Sequence, residues 1–457
     1  MKTYLDWRAY QDAGMGDPYA DIPKHGGNFA KAIAACINSR QCETHDQQVM
    51  CPSFRVTNNP NLSTGGRVKL LKAALSNNLP EVALLDPLLR EAMDHCVSCK
   101  GCKRECEASV DMALIKAEYK AQRVAQDGLG LRDRLFAFTP YWLHRAHWVN
   151  NLISLRNKYA FMRWLSDKFL GVSARHLLPV PAQKPFSWSS DGCATDDISQ
   201  PVSKVVLFID TFTRYFEPNI AHAAIFVLQA SGCLVHIAEP ALETPDPHRP
   251  LCCGRTFLAY GLIELARNEL KRVLHALKSY IDDGYTIVGL EASCVIGLRD
   301  DARALGLGDE AESLSKHVVL FEEFLSKKIA AKRLSLSFRS PRKTRSLVHG
   351  HCHQKAVGAM KAMRRVLKCI PEHEFEIADS GCCGMAGSFG LEAEHTDIGF
   401  LMAENGLLPA LRASRDATIV CNGFSCRQQI KHLTGHCAIH LAELLRETIT
   451  IEKVKVL

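Results

Sequence analysis

Residues 96–106 read CVSCKGCKREC, and their spacing, Cys96-x2-Cys99-x2-Cys102-x3-Cys106, decides how the first part of the chain folds. A cubane iron–sulfur cluster needs several thiolates converging on one compact object. Three cysteines at two-residue intervals wrap a loop around it, and the fourth, beyond the turn, ligates the other cluster of a two-cluster protein. Proline, which usually follows that fourth cysteine, is replaced by Glu107. Proline shapes the exit of the loop and donates no ligand, so the spacing stands. Structural zinc is the alternative. It draws its cysteines from two separated knuckles, and four thiols this close in sequence would crowd one tetrahedral ion.

A partner motif lies upstream as Cys36-x5-Cys42-x8-Cys51-Pro52, with Ser39 where the second cysteine would stand. Under crossed ligation, Cys51, Cys96, Cys99 and Cys102 form a complete 4Fe–4S set, and Cys36, Cys42 and Cys106 form a deficient one. The deficient set could take a 3Fe–4S cluster, a 4Fe–4S cluster completed by Ser39 or His45, or nothing. Around both motifs the periodicity is helical, in VKLLKAAL (68–75), DPLLREAMDHC (86–96) and VDMALIKAEYKAQRVAQ (110–126). Residues 1–130 therefore read as an α-helical cluster domain.

Residues 131–203 form a basic, aromatic helical connector and then a linker rich in Pro, Ser and Asp. The connector reads as helices packed on the α/β part of the chain, with a docking helix for a membrane surface or partner as the alternative. From residue 204 the pattern becomes α/β. KVVLFID (204–210), LVHIAE (234–239), YTIVGLEASC (285–294), RSLVHGHC (345–352), FEIADSGCCG (375–384) and ATIVCNGFSC (417–426) are strand-to-loop units separated by helices. Strands alternating with helices favour parallel sheets. Cys252-Cys253-Gly254 recurs as Cys382-Cys383-Gly384, which divides this region into related halves, 204–335 and 336–457. The expected fold is an α-helical ferredoxin-like dicluster domain followed by a duplicated α/β CCG domain with mainly parallel sheets.

In the second half Cys352, Cys382, Cys383, Cys421 and Cys426 fall at strand ends or in the adjoining loops, and His349, His351 and His353 flank Cys352 in HGHCHQK. The ends of parallel strands converge on one edge, where ligands bind. Thiolate and imidazole together suit zinc or iron. The first half offers Cys252, Cys253 and Cys294, with Cys233 less clearly placed. Structural burial of these thiols is the competing reading. Asp210 and Arg214 in IDTFTRYFEP read as a satisfied surface pair. Cys193, Cys369 and Cys437 read as buried or partly buried thiols without a site.

Composition narrows the classes. In 457 residues there are 19 cysteines, an odd number, so complete disulfide pairing within the chain is impossible. The first residues, MKTYLDWRAYQDAG, lack the basic end and apolar run of a signal peptide. The expectation is a cytoplasmic chain, in contact at most with the inner face of a membrane, whose thiols are reduced unless they bind metal. A net charge of +7 does not indicate nucleic-acid binding. Neither G-x-G-x-x-G after a strand nor G-x-x-x-x-G-K-[ST] occurs, so no nucleotide site is evident.

Taken in order, LSTGGRVKLLKAAL, CVSCKGCKREC, VDMALIKAEY, DTFTRYFEP, PLCCGRTFLAYG, VGLEASC, VHGHCHQKA, SGCCGMAGSFG and NGFSCRQQI resemble the iron–sulfur portion of FAD-linked 2-hydroxyacid dehydrogenases. That group includes the glycolate oxidase iron–sulfur subunit and the D-lactate and D-2-hydroxyglutarate dehydrogenases. The CCG repeats are also similar to those of heterodisulfide reductase and of the anaerobic glycerol-3-phosphate dehydrogenase C subunit. The resemblance implies an electron-transfer subunit that receives electrons from FAD on a partner flavoprotein and passes them to a quinone or other acceptor. It also implies a metal or iron–sulfur centre in the CCG region, although Cys421-x4-Cys426 departs from the family's CxxC. The alternative is a heterodisulfide reductase-like catalytic subunit working at the second CCG half. Whichever 2-hydroxyacid is oxidised would be chosen by the flavoprotein.

Overall fold

Short polar side chains start the helices of the cluster domain. Ser63 Oγ accepts from Gly66 N at 2.9 Å, Asp86 Oδ1 from Leu89 N at 3.0 Å and Asp111 Oδ1 from Leu114 N at 3.2 Å. Each satisfies an otherwise orphaned amide in a first helical turn. The helices they start are Thr64–Leu75, Pro87–Asp94 and Met112–Asp127. The last buries Leu114, Ile115, Ala117, Tyr119 and Ala121 along one face. A computed structural model describes all residues except 16, 18–19, 45–48, 146–147, 189–202, 334–335 and 451–457. His45 and Cys193 thus lie outside the described residues. The first described strand begins at Ser203, and everything described before it is helix and loop.

Strands β1 (Ser203–Phe208), β2 (Cys233–Ile237), β3 (Thr286–Gly289) and β4 (Val318–Leu320) form a parallel sheet in the order β2-β1-β3-β4. After the short β5 (Ser337–Phe338), β6 (Arg345–Val348), β7 (Glu374–Ile377) and β8 (Thr418–Val420) form a second parallel sheet in the order β7-β6-β8. β9 (Ile449–Thr450) pairs antiparallel with β5. β1 shows why its sequence is continuously apolar. Val206 and Phe208 enter the core shared with the cluster domain, while Val205 and Leu207 enter a second core on the opposite face. A parallel strand covered on both faces has no solvent side to make polar.

The order in each sheet places a topological switch point between the first strand and a neighbour reached by a crossover: β1/β3 in the first sheet and β6/β8 in the second. Crevices outside the carboxyl ends of such strands bind ligands. The loop that ends in Cys294 comes after β3, and the loops that carry Cys352 and Cys421 come after β6 and β8.

The connector differs from the expectation of helices packed on the α/β part. Helix Leu131–Ala137 does pack on helix Arg255–Ala259. The next pair, Val149–Lys158 and Ala160–Leu170, packs on itself and leaves most of its apolar side chains exposed. No described helix is long and apolar enough to cross a membrane.

Candidate metal centres

Cys51, Cys96, Cys99 and Cys102 line one small cavity together with Pro52, Thr64, Arg67 and Met112. Cys51 reaches it from the N-cap of helix Pro52–Thr57, in a left-handed conformation at φ 53°. The other three come from the Cys96–Cys102 loop. Backbone amides turn toward the sulfurs: Thr64 N lies 3.1 Å from Cys51 Sγ and Gly101 N 3.4 Å from Cys99 Sγ. Such N–H···S contacts favour thiolate over thiol. Burial, the larger influence, pushes Cys51 up to about 11 and drives Cys99 and Cys102 well above the usual thiol range. Buried thiols around a common cavity, with amides aimed at their sulfurs, suit a cationic iron core that deprotonates them. The residues brought together are those of the complete set read from the spacing.

The deficient set also converges. Cys36 is half-buried, and its thiol is raised by burial first, with Cys106 and Cys42 adding to the rise. Gly65 N lies 3.2 Å from Cys42 Sγ. Ser39 is exposed. Cys51 senses both Cys42 and Cys96, so the two sets are adjacent.

The second CCG half gathers its candidates as fully. His349, Cys383 and Cys426 place ligand atoms within 4.8 Å of one another, and so do His351, Cys352 and His353. Ser380 Oγ sits 2.9 Å from His349 Nδ1, while His349 Nε2 has no hydrogen-bond partner and faces Cys383. One nitrogen held and the other bare is how a metal-ligating imidazole is prepared. The thiols form a chain of contacts. Cys382 touches Cys352 and Cys383, and Cys426 touches Cys383 and Cys421. Cys352 and Cys383 are held well below the usual thiol range, chiefly by Cys382, while Cys382 and Cys426 are pushed above it. Burial works against His351, yet Cys352 outweighs it and raises the imidazole to about 9. His353 is held at one nitrogen as well: its Nε2 lies 3.0 Å from the Ser98 carbonyl oxygen and 3.2 Å from Arg255 Nη2, which anchors this loop to the cluster loop, and its Nδ1 has no hydrogen-bond partner.

Glycine closes each CCG turn for a steric reason. Gly254 has φ +79° and Gly384 φ +84°, both in the left-handed region. A Cβ on Gly384 would stand 1.9 Å from the Gly399 carbonyl oxygen, and one on Gly254 2.9 Å from that of Ala266. The two halves differ just after it. Gly254 caps helix Arg255–Ala259, whereas Gly384 leads through a turn to a short 3-10 helix at Phe389–Leu391.

In the first half Cys253 touches both Cys252 and Cys294, and among the described residues no three metal-ligating atoms there lie within 4.8 Å of one another. Contact with Cys253 favours the Cys294 thiolate, but burial and the carboxylates of Asp210 and Glu291 push it up to about 12. Glu291 also crosses to the second half, where its Oε2 accepts from Phe424 N at 2.7 Å. Cys233 opens β2 at the amino edge of the sheet, away from this site. Asp210 and Arg214 correct the surface-pair expectation. Both are buried and neither pairs with the other. Asp210 caps helix Thr211–Tyr215, and Arg214 bonds the Phe186 carbonyl and Glu239. Cys369 is half-buried and Cys437 exposed.

Sequence reasoning missed what joins these centres. Lys100, buried within the cluster loop, pairs with Asp111 at 3.0 Å and Asp300 at 3.3 Å and also touches Asp301, which Arg255 Nη1 reaches at 2.7 Å. Its Lys-Gly context resembles any loop; only the tertiary approach of the 300–301 turn makes it a junction. Cys96, Cys252, Cys253, Cys294 and Cys352 then open on one cavity of about 1350 Å³.

Comparison with known proteins agrees with this geometry. Residues 32–110 match the 4Fe-4S dicluster domain, a span that holds all seven cysteines of the first block. A chain that carries a 4Fe-4S dicluster domain ahead of parallel α/β sheets is the class so defined.

The chain is homologous to D-2-hydroxyglutarate dehydrogenase of Escherichia coli (strain K12), with 23% identity over 462 residues, covering 91% of this chain and 43% of that protein. It is 25% identical over 304 residues to the C subunit of anaerobic glycerol-3-phosphate dehydrogenase from the same organism, across 66% of this chain and 72% of that one. Lactate utilization protein A of Bacillus subtilis (strain 168) matches at 22% identity over 41% of this chain and 75% of its own length. The chain therefore spans less than half the length of the D-2-hydroxyglutarate dehydrogenases it matches. The first two of these relatives are dehydrogenases by name.

Proposed function

We propose that the chain is the iron–sulfur electron-transfer component of a flavin-dependent 2-hydroxyacid dehydrogenase, taking electrons from FAD on a partner and delivering them to a quinone or other acceptor at the cytoplasmic side of a membrane. The observation that carries this reading is the contiguity of the cysteine sets. Cys42 neighbours Cys51, and Cys99 shares a buried apolar contact with Cys352. Bound at these cysteines, iron–sulfur clusters supply one-electron steps, which is what a two-electron flavin donor requires to be coupled onward.

The chain's own residues do the rest. Cys51, Cys96, Cys99 and Cys102 would hold one cluster, and Cys36, Cys42 and Cys106 a second, while the amides of Thr64, Gly65 and Gly101 support sulfur charge. Cys352, Cys382, Cys383, Cys421 and Cys426, with His349 and His351, would hold a further centre. Cys252, Cys253 and Cys294 are the weaker candidates. Lys100 holds the cluster loop against the α/β part.

A second reading rests on the preparation of His349 against Cys383 and Cys426. It makes the second CCG half itself catalytic, as in a disulfide reductase. Cys383→Ser discriminates the two: loss of disulfide reduction with the first-block clusters intact supports catalysis here. The leading reading is tested by mixing the chain with its flavoprotein. Dye-linked 2-hydroxyacid oxidation should rise, and no rise refutes it.

A further inference from the structure

We propose that the helical hairpin Val149–Lys158 and Ala160–Leu170 docks the chain on an anionic lipid surface and sets the mouth of the cysteine-lined cavity against the bilayer. None of the residues of Ala160–Leu170 is buried, although Phe161, Met162, Trp164, Leu165, Phe169 and Leu170 are all apolar. Phe161 is 66% exposed, Phe169 70% and the neighbouring Trp148 63%. An apolar crest of this size on one element marks an interaction surface.

The hairpin is built to hold that crest out. Arg156, buried at its base, donates to the Ser173 carbonyl at 2.6 Å, the His176 carbonyl at 2.7 Å and Ser166 Oγ at 3.0 Å. Arg163 Nη1 ties the turn through the Asn157 carbonyl at 2.8 Å. The crest is therefore preformed and needs no partner to order it.

Charge selects the partner. Between Asp133 and Asp167 the chain carries no acid, and Arg134 and Lys158 stand exposed with Arg163 half-buried, while Arg156 is buried and Arg145 pairs with Asp246 at 3.4 Å. Asp167 is itself engaged with Ala174 N at 2.7 Å. Lys158 sits 5.3 Å from the Tyr159 ring and Lys168 5.2 Å from that of Trp164. Lysine is depleted at protein–protein interfaces, whereas helices lying in a membrane interface combine Lys and Arg with Trp, Phe and Leu and gain from anionic headgroups.

The other side of the hairpin gives the docking a consequence. Leu152, Ile153, Met162 and Leu165 line the same cavity that Cys252, Cys294 and Cys352 face, and Phe169 belongs both to the crest and to this lining. An acceptor with an apolar tail would pass from lipid to the cysteines without crossing water. That consequence rests on the electron-transfer reading; the docking does not.

The test uses the purified full chain with its clusters. Flotation is measured with vesicles of phosphatidylcholine containing phosphatidylglycerol, and with phosphatidylcholine alone, at low and high salt. The chain should float with the phosphatidylglycerol vesicles, and high salt should release it. Combined Phe161→Ser, Trp164→Ser and Phe169→Ser should weaken partition by about ten-fold or more, as should combined Lys158→Ser and Lys168→Ser. All five side chains lie outside the buried core, and unchanged circular dichroism and iron content would verify the fold. Absence of flotation, or equal flotation of the aromatic variant, overturns the proposal. So does an aromatic variant that still floats but no longer forms a dimer or a flavoprotein complex, which assigns the face to protein. Flotation together with failed flavoprotein coupling would leave the docking intact and refute only the electron-transfer reading.

Discussion

His353 Nε2 lies 3.0 Å from the Ser98 carbonyl oxygen across 255 positions of chain, and this bond is where the second CCG half grips the cluster loop. Beside it Cys99 and Cys352 share an apolar contact with Val49, and Arg104 Nη1 reaches the Lys355 carbonyl at 3.2 Å. Replacing His353 with Ala takes a partner from the part-buried Ser98 carbonyl and from Arg255 Nη2, which should cost about 1 kcal/mol or more. Urea unfolding should show that loss with the iron content unchanged, as expected of a docking residue. Loss of iron with unchanged stability would make it a ligand instead.

Lys100 should be less tolerant than any surface lysine. Lys100→Met removes the buried cation shared by Asp111 and Asp301, leaving only Lys103 at 3.4 Å and Arg255 at 2.7 Å to offset them, and breaking a buried pair from one side costs about 3–5 kcal/mol. Thermal unfolding should show this. The exposed pair of Lys316 and Glu312 supplies the contrast, because Lys316→Met should change stability by about 1 kcal/mol or less.

The CCG glycines should rank by the space behind them. Gly384→Ala drives a Cβ into the Gly399 carbonyl and should abolish folding or cost several kcal/mol. Gly128→Ala at φ +74°, with nothing within 4 Å, should cost only the left-handed strain of about 1–2 kcal/mol. Similar losses at both sites, measured by denaturant unfolding, would show that the close approach of residues 384 and 399 does not matter.

Glu322, bonded to the loops that carry Cys352 and Cys421, gives the stability a pH dependence through a carboxyl. It is fully buried, and burial raises its carboxyl to about 7, against amide donors from Gln354 and Asn422 that favour the anion. A carboxyl raised on folding binds more protons in the native state. Its contribution is therefore complete below the ordinary glutamate range and is lost as pH rises through about 7. Glu322→Gln should flatten melting temperature against pH between about 5 and 8, raising it at the alkaline end. An unchanged slope would assign the dependence elsewhere.

Much of this was legible because it is local. The Cys96–Cys106 spacing, the Cys51-Pro52 partner and the alternation of strand and helix are properties of neighbouring residues, and the structure brings the four cysteines of the first set to one cavity. What crosses the chain was not legible. Asp210 and Arg214 look like surface polar residues, yet each is buried with separate partners: Asp210 accepts from Phe212 and Thr213 of its own helix, and Arg214 reaches the Phe186 carbonyl and Glu239. The three histidines of HGHCHQK look equivalent in sequence. His353 is set apart only by the cluster loop, which supplies Ser98. The connector's periodicity gave helices correctly but not their exposure, since an amphipathic stripe does not say what covers it.

The most direct test of the central claim is to isolate the chain with its natural partners and record cluster EPR before and after adding a D-2-hydroxyacid, with no other reductant present. The predicted result is stoichiometric FAD in the complex and substrate-dependent reduction of the clusters, abolished in Cys51→Ser and Cys99→Ser for the first-block signal. A complex without flavin, or clusters that respond to a disulfide substrate and not to any 2-hydroxyacid, would contradict it.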